Sequence, residues 1–190
     1  MKKIILVISI FAISYTLTGC NIKDGRLDFP TELIENTFTE DFTSMINNGE
    51  EWQINCDVAN LDIEVLPING TDVIIEHSAY IDDEFTYTID TENHTIVLTN
   101  NADLYERYMS IRKGEGLEIG LPSDLIMNDI VLVTSNSSVD ISDFTFNSLR
   151  IDTSNGPIDV ESLTMNGNVQ LESSNASITV KNIVANGASN

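Results

Sequence analysis

The chain has 190 residues, 42% of them hydrophobic, which is enough for one domain with a real core plus a targeting segment. Its 30 acidic residues outweigh 9 basic ones, giving a formal net charge of −21. That balance argues against nucleic acid, whose phosphates it would repel, and against anionic lipid held through a basic patch. It leaves solubility, cation binding and cationic partners open.

The first twenty residues read MKKIILVISIFAISYTLTGC. Lys2 and Lys3 precede an apolar run from Ile4 to about Tyr15. The run falls short of the roughly 20 apolar residues of a spanning helix and fits the core of a secretory signal. Its ending, Leu17-Thr18-Gly19-Cys20, resembles the bacterial lipobox. That resemblance implies a signal peptide over 1–19, removed ahead of Cys20, with Cys20 acylated and anchored to the membrane by two or three chains. The expected location is the bacterial cell envelope, outside the cytoplasm. The other cysteine is Cys56. One unpaired thiol makes no disulfide framework, and no Cys/His set has zinc spacing, so Cys56 is expected to be a buried small hydrophobe.

Asn21 to about Pro30 is polar and carries Gly25, and residues 20–34 read as the lipidated N-terminus and a tether. The domain is expected over 35–190. In ENTFTEDFTSMI (Glu35 to Ile46), Phe38, Phe42 and Met45 have helical spacing, while the threonines favour a strand; a strand or irregular lead-in is expected. NNGEE is then a turn. From Trp52 to Val58, apolar residues alternate with polar ones, which marks a half-buried strand. Leu61, Ile63 and Val65 continue the alternation, and LPINGT closes that unit as a turn. Val73 to Tyr80 is a further strand. Phe85–Ile89 and Ile96–Leu98 flank DTENHT as a hairpin inserted in the pattern. Asn100 to Gly116 is the least regular stretch. Leu117, Ile119 and Leu121 alternate again, ending at Pro122.

The rest of the chain repeats itself. TSNSSVDI, TSNGPIDV and SSNASITV place Asn136, Asn155 and Asn175 at intervals of 19 and 20 residues. The earlier stretch around Asn60 fits the same frame, with Cys56 on an inward column beside Leu132 and Ile151. A fixed period of about 20 residues predicts a parallel β-solenoid, an all-β fold in which two short strands and a bend make one rung. Each rung buries its apolar face only by stacking on neighbours. Asparagine suits the bend because it tolerates left-handed backbone angles and bonds to nearby main chain. Stacked asparagines can also form a ladder. Asn60, Asn136, Asn155 and Asn175 are therefore read as structural corners. Outward from the core lie Glu64, Asp140, Asp159 and Thr179. Asp140, Asp152 and Asp159 are the candidate face for a cation or partner, although solvated acids are the simpler expectation. No calcium-binding β-roll repeat or EF-hand loop is present.

The run GLEIGLP through VQLESSNASITV, opened by WQINCDVANLDIEVLP, resembles a bacterial domain-of-unknown-function family of adhesin-like proteins with β-strand repeats. The resemblance spans about Glu35 to the end, implies the repeat fold and an adhesin-like role, and carries over no catalytic residue. Two corners depart from its pattern, with Ser137 and Ala176 in place of glycine. The sequence holds no nucleophile elbow, HExxH, P-loop or dinucleotide fingerprint. His77 and His94 are expected at the surface rather than as bases or ligands. The chain is thus expected to be a non-catalytic, membrane-anchored lipoprotein carrying a binding or adhesin-like module, with no cofactor. The alternative is an accessory protein of an envelope stress or signalling system; a polysaccharide-active enzyme ranks below both. Partners are expected to be the membrane, through the lipid, and an envelope protein or surface ligand. The last rung has no obvious cap, and an open edge invites strand addition by a partner or a second copy.

Overall fold

Alternation with period two dictates strands, and strands dominate the computed structural model, which describes residues 21–23, 26–28, 33–79, 85–100 and 115–186. The expected signal peptide over 1–19 and Cys20 lie outside the described residues, as does most of the irregular stretch after Asn100. In the stretch expected to be a tether, β1 (Asn21–Lys23) and β2 (Arg26–Asp28) pair antiparallel as a sheet of their own. The expected lead-in divides in two: β3 (Ile34–Asp41) is a strand, and α1 (Thr43–Asn48) a six-residue helix ended by Gly49 at φ 66. Thus the threonine-rich half is extended, and the Phe42–Met45 spacing belongs to the helix.

The remaining strands are β4 (Glu51–Asp57), β5 (Asp62–Ile68), β6 (Asp72–Ala79), β7 (Thr86–Asp90), β8 (Thr95–Thr99), β9 (Gly116–Pro122), β10 (Ile126–Thr134), β11 (Val139–Ser142), β12 (Thr145–Thr153), β13 (Ile158–Glu161), β14 (Thr164–Met165), β15 (Val169–Ser173), β16 (Ile178–Lys181) and β17 (Val184–Ala185). They form two sheets. The eight-stranded sheet runs β17-β14-β12-β10-β4-β8-β7, with β15 also on β12; the seven-stranded sheet runs β16-β13-β11-β5-β9-β6-β3. Inward residues of both sheets make one core cluster. Pro67 lies inside β5 rather than in a turn, and the chain reverses at Asn69-Gly70, where Gly70 has φ 115.

The all-β expectation holds, but the sheets are mixed. From β8 to β17 in one sheet, and from β9 to β16 in the other, pairing is parallel, with one register shift against β4 between Met127 and Asp129: Leu132 lies on Ile151 and Cys56, Ile151 on Leu171, and Val139 on Ile158 and Ile63. At the opposite end β6, β3 and β7 pair antiparallel. For β7 and β8 the reason is local: the DTENHT hairpin sends the chain straight back, and a direct reversal makes antiparallel neighbours. The Asn69-Gly70 turn instead carries the chain past the place of β9, so that β6 runs against β9 while β5 runs with it.

The stacking order differs from chain order. β8 and β9 flank β4 and β5, and β10 and β11 lie on the other side of them. The early β4–β5 unit is therefore the filling between β9 and the strand that follows it, β10. Cys56, 1% exposed, sits in a column between Leu98 and Leu132. Burial, with the Asp57 charge adding to it, pushes its thiol far above the ordinary cysteine range.

Candidate functional site

The repeated phrase is a bend in which side chains of one rung bond to the rung before it. Asn175 Nδ2 donates to Asn155 Oδ1 at 2.7 Å, Asn155 Nδ2 to Asn136 Oδ1 at 2.6 Å, and Asn136 Nδ2 to Asn60 Oδ1 at 2.6 Å. The four amides form one polarised chain. The hydroxyl two residues before Asn136, Asn155 and Asn175 makes a second column: Thr134 donates to the carbonyl of Leu61 (3.3 Å), Thr153 to that of Ser137 (3.3 Å) and Ser173 to that of Gly156 (3.0 Å). Thr153 and Ser173 also accept within their own corner, from the N–H of Gly156 and of Ala176 respectively.

Backbone angles correct one expectation. Of the four asparagines only Asn60 is left-handed, at φ 60. In the repeats the left-handed residue is at the rung's other bend: Asp143 (φ 62), Ser162 (φ 56) and Asn182 (φ 53). Only two residues separate the strands there, so one of them takes the left-handed angle, whereas four residues share the bend at the asparagine. Gly156 serves close approach, not a positive φ: a Cβ on it would lie 1.6 Å from the Ser137 carbonyl oxygen.

The outward face of the seven-stranded sheet carries a different pattern. Register sets Asp159 beside Asp140, Asp140 beside Glu64, Glu64 beside Glu118 and Glu118 beside Glu76. Five carboxylates thus cross five adjacent strands, about 4.8 Å from one to the next. Burial, then Glu76 and Glu64, raises the Glu118 carboxyl above its ordinary range. Burial, then Asp159, Glu64 and Asp62, does the same to Asp140, with a hydrogen bond from Ser138 opposing. Asp62 is tied to the next rung, accepting from Ser138 N–H at 2.8 Å and Ser138 Oγ at 3.0 Å. A groove of about 510 Å³ opens along this row and includes Glu64, Glu76, Glu118, Asp140 and the edge of His77. Among the described residues, no group of three or more His, Cys, Asp or Glu is placed to hold a metal ion.

The three acids chosen from the sequence do not stay together. Asp140 and Asp159 are in the row. Asp152 is on β12 in the other sheet, 3.4 Å from Arg150 Nη2. Glu118 and Glu76 are not found from the sequence, because it does not place β9 beside β5 or β6 beside β9. The signal was present: Glu118 sits between Leu117 and Ile119 just as Glu64 sits between Ile63 and Val65. His77 is also corrected. It is 4% exposed and stacks on Phe85 at 4.4 Å, because it shares the inward side of β6 with Val73, Ile75 and Ala79. His94, at the hairpin turn, lies 3.6 Å from Glu50 and stacks on Trp52.

No protein-family model and no curated protein matches the chain. Two solved structures are similar in outline. A proposed cell adhesion protein from Clostridium sporogenes has a TM-score of 0.44 and 9% identity, over 79% of this chain and 99% of that one. A proposed adhesin from Bacteroides fragilis has a TM-score of 0.32 and 11% identity, over 83% of this chain and 95% of that one.

Proposed function

We propose that the chain is a lipoprotein of the bacterial cell envelope, held outside the cytoplasm by acyl chains on Cys20, whose domain is a non-catalytic, adhesin-like binding module. Its parallel part is a short β-solenoid with rungs of about 20 residues, extended at one end by antiparallel strands. The observation that carries the reading is where the repeated polar groups go. The corner amides and hydroxyls bond from rung to rung, so the motif that recurs along the chain is spent on the stack. Recognition then falls to the outward faces. The most distinctive of these is the carboxylate row of the seven-stranded sheet, which suits a cationic surface or protein segment.

The anchor is tested by fractionating cells that make Cys20→Ser. The variant is expected to leave the membrane fraction and lose fatty-acid label. Full membrane retention with unchanged labelling would overturn the anchor. The module is tested separately, by comparing binding of intact cells to polycationic and polyanionic surfaces. Loss of polycation binding in Glu64→Gln/Glu118→Gln/Asp140→Asn supports the acidic face, and equal binding by parent and variant counts against it.

A further inference from the structure

Four Asn-Gly pairs lie among the described residues: Asn48-Gly49, Asn69-Gly70, Asn155-Gly156 and Asn166-Gly167. In such a pair the main-chain nitrogen of the glycine can attack the side-chain carbonyl carbon of the asparagine, because no side chain shields that nitrogen. The new C–N bond closes a cyclic imide, and the amide nitrogen leaves as ammonia. Water then opens the imide and leaves a carboxyl group where the amide was. The product is an aspartate, or an isoaspartate whose main chain runs through the former side chain. The reaction needs no enzyme and no redox partner. It does need a free glycine N–H and an asparagine side chain able to swing over it.

The fold treats the pairs differently. Asn155 is held on both sides: its Nδ2 donates to Asn136 Oδ1 at 2.6 Å, and its Oδ1 accepts from Asn175 Nδ2 at 2.7 Å. The N–H of Gly156, a buried residue, donates to Thr153 Oγ1 at 3.1 Å. The Ser137 carbonyl packed on Gly156 leaves the main chain no room to turn. Asn48 is held more weakly. The N–H of Gly49 donates to the Ile46 carbonyl at 3.0 Å, and Asn48 Nδ2 to Glu50 Oε1 at 3.2 Å.

Asn69 and Asn166 are exposed, and an exposed glycine follows each in an irregular bend. Among the described residues, no hydrogen bond holds either side-chain amide or either glycine N–H. Asn166 stands in a second column with Asn128 and Asn147, at intervals of 19 residues. That column is bonded at its first pair, where Asn147 Nδ2 donates to Asn128 Oδ1 at 3.0 Å. Gly167 is fixed by its neighbour, since a Cβ on it would lie 2.6 Å from the Asn147 carbonyl oxygen. The stack thus imposes a glycine directly after an unheld asparagine.

We propose that Asn69 and Asn166 are sites of spontaneous deamidation, and that the amide column protects Asn155 from the same chemistry. Each event adds a carboxylate to a chain of formal net charge −21. At Asn166 the isoaspartate product also displaces main chain packed on Asn147, so this site loosens the outer rungs. The inference is independent of the adhesin-like reading and of the lipid.

The test incubates the full folded chain in mildly alkaline buffer and follows its peptides by mass spectrometry, which reads the exchange of NH2 for OH. Asn69 and Asn166 are expected to convert faster than Asn155 by roughly tenfold or more, the factor expected where two side-chain hydrogen bonds must break first. In urea the column is gone, and Asn155 is expected to convert at a rate like theirs. Asn136→Ala, which removes one partner of Asn155, is expected to speed Asn155 in the folded chain and leave Asn69 unchanged. The comparison of native with urea-unfolded chain needs no substitution, so it decides the matter even where Asn136→Ala fails to fold. Conversion of Asn155 as fast as Asn69 or Asn166 in the folded chain, or no faster in urea than in the folded chain, would overturn the inference.

Discussion

Asn136 Nδ2 donates to Asn60 Oδ1 at 2.6 Å, joining residues 76 positions apart in the chain. This bond ties the early β4–β5 unit to the first of the three similar corners. It also explains why the same phrase recurs. An amide in a shared column both donates and accepts, so each new rung adds one bond by repeating one residue type.

The column predicts a graded response to alanine. Asn60 is 7% exposed, and removing its donor leaves a buried oxygen unpaired. Asn136→Ala is expected to cost about 2 kcal/mol, within the range for orphaning a buried polar group. Asn155→Ala and Asn175→Ala, at exposed corners, are expected to cost successively less. Urea unfolding midpoints at constant slope would read the order; equal losses at all three sites would contradict it.

Gly156→Ala is expected to destabilise by about 3 kcal/mol or more, since overpacking with no room to relax lies at the upper end of its range. The atom in the way is main-chain oxygen of Ser137, not the end of a flexible side chain. Ala176→Gly, in the last corner, removes only a small side chain and is expected to change the midpoint little.

The carboxylate row predicts stabilisation by neutral substitutions. Like charges facing each other across strands are unfavourable by a few tenths of a kcal/mol, so Asp140→Asn and Glu118→Gln should each gain about 0.5 kcal/mol at neutral pH. Both carboxyls are held above their ordinary range, so the folded state takes up protons first as pH falls. Their penalty is therefore present at neutral pH and disappears as pH drops through the raised values. The advantage of the substitutions should shrink over that interval and in high salt. Asp41 and Asp90, held low by hydrogen bonds to Thr43 and Asn93, act in the opposite sense and lose their contribution as acid protonates them. A gain that grows with acid would contradict the assignment.

Cys56 is expected to be inert to thiol reagents in the native protein and to react on unfolding. Its burial in the Leu98–Cys56–Leu132 column disfavours the thiolate, which is the reactive form. Labelling at the native rate of an exposed cysteine would show that the column is not formed.

Much of this was legible in the sequence because a rung repeats its chemistry. Alternation at Trp52–Val58 and Leu117–Leu121 marks strands, and the spacing of Asn136, Asn155 and Asn175 gives the rung length. Three things were not legible. Alternation cannot say which strands are neighbours, so Glu118 and Glu76 could not be joined to Glu64. Asparagine is compatible with a left-handed backbone without requiring it, so the left-handed bend at Asp143, Ser162 and Asn182 was not separable from the corner at the asparagines. His77 looks polar in sequence, yet it shares the inward phase of β6 with Val73, Ile75 and Ala79 and is buried with them.

The stacking order is the claim on which the rest depends, and a thiol cross-link tests it most directly. Glu64 and Asp140 are register partners on the outward face, whereas Glu64 and Asp159 are separated by β11. A short thiol-specific cross-linker is expected to join Glu64→Cys to Asp140→Cys within one chain and to leave Glu64→Cys with Asp159→Cys unlinked. The reverse result, or no link in either pair, would contradict the placement of the early unit beside the repeats.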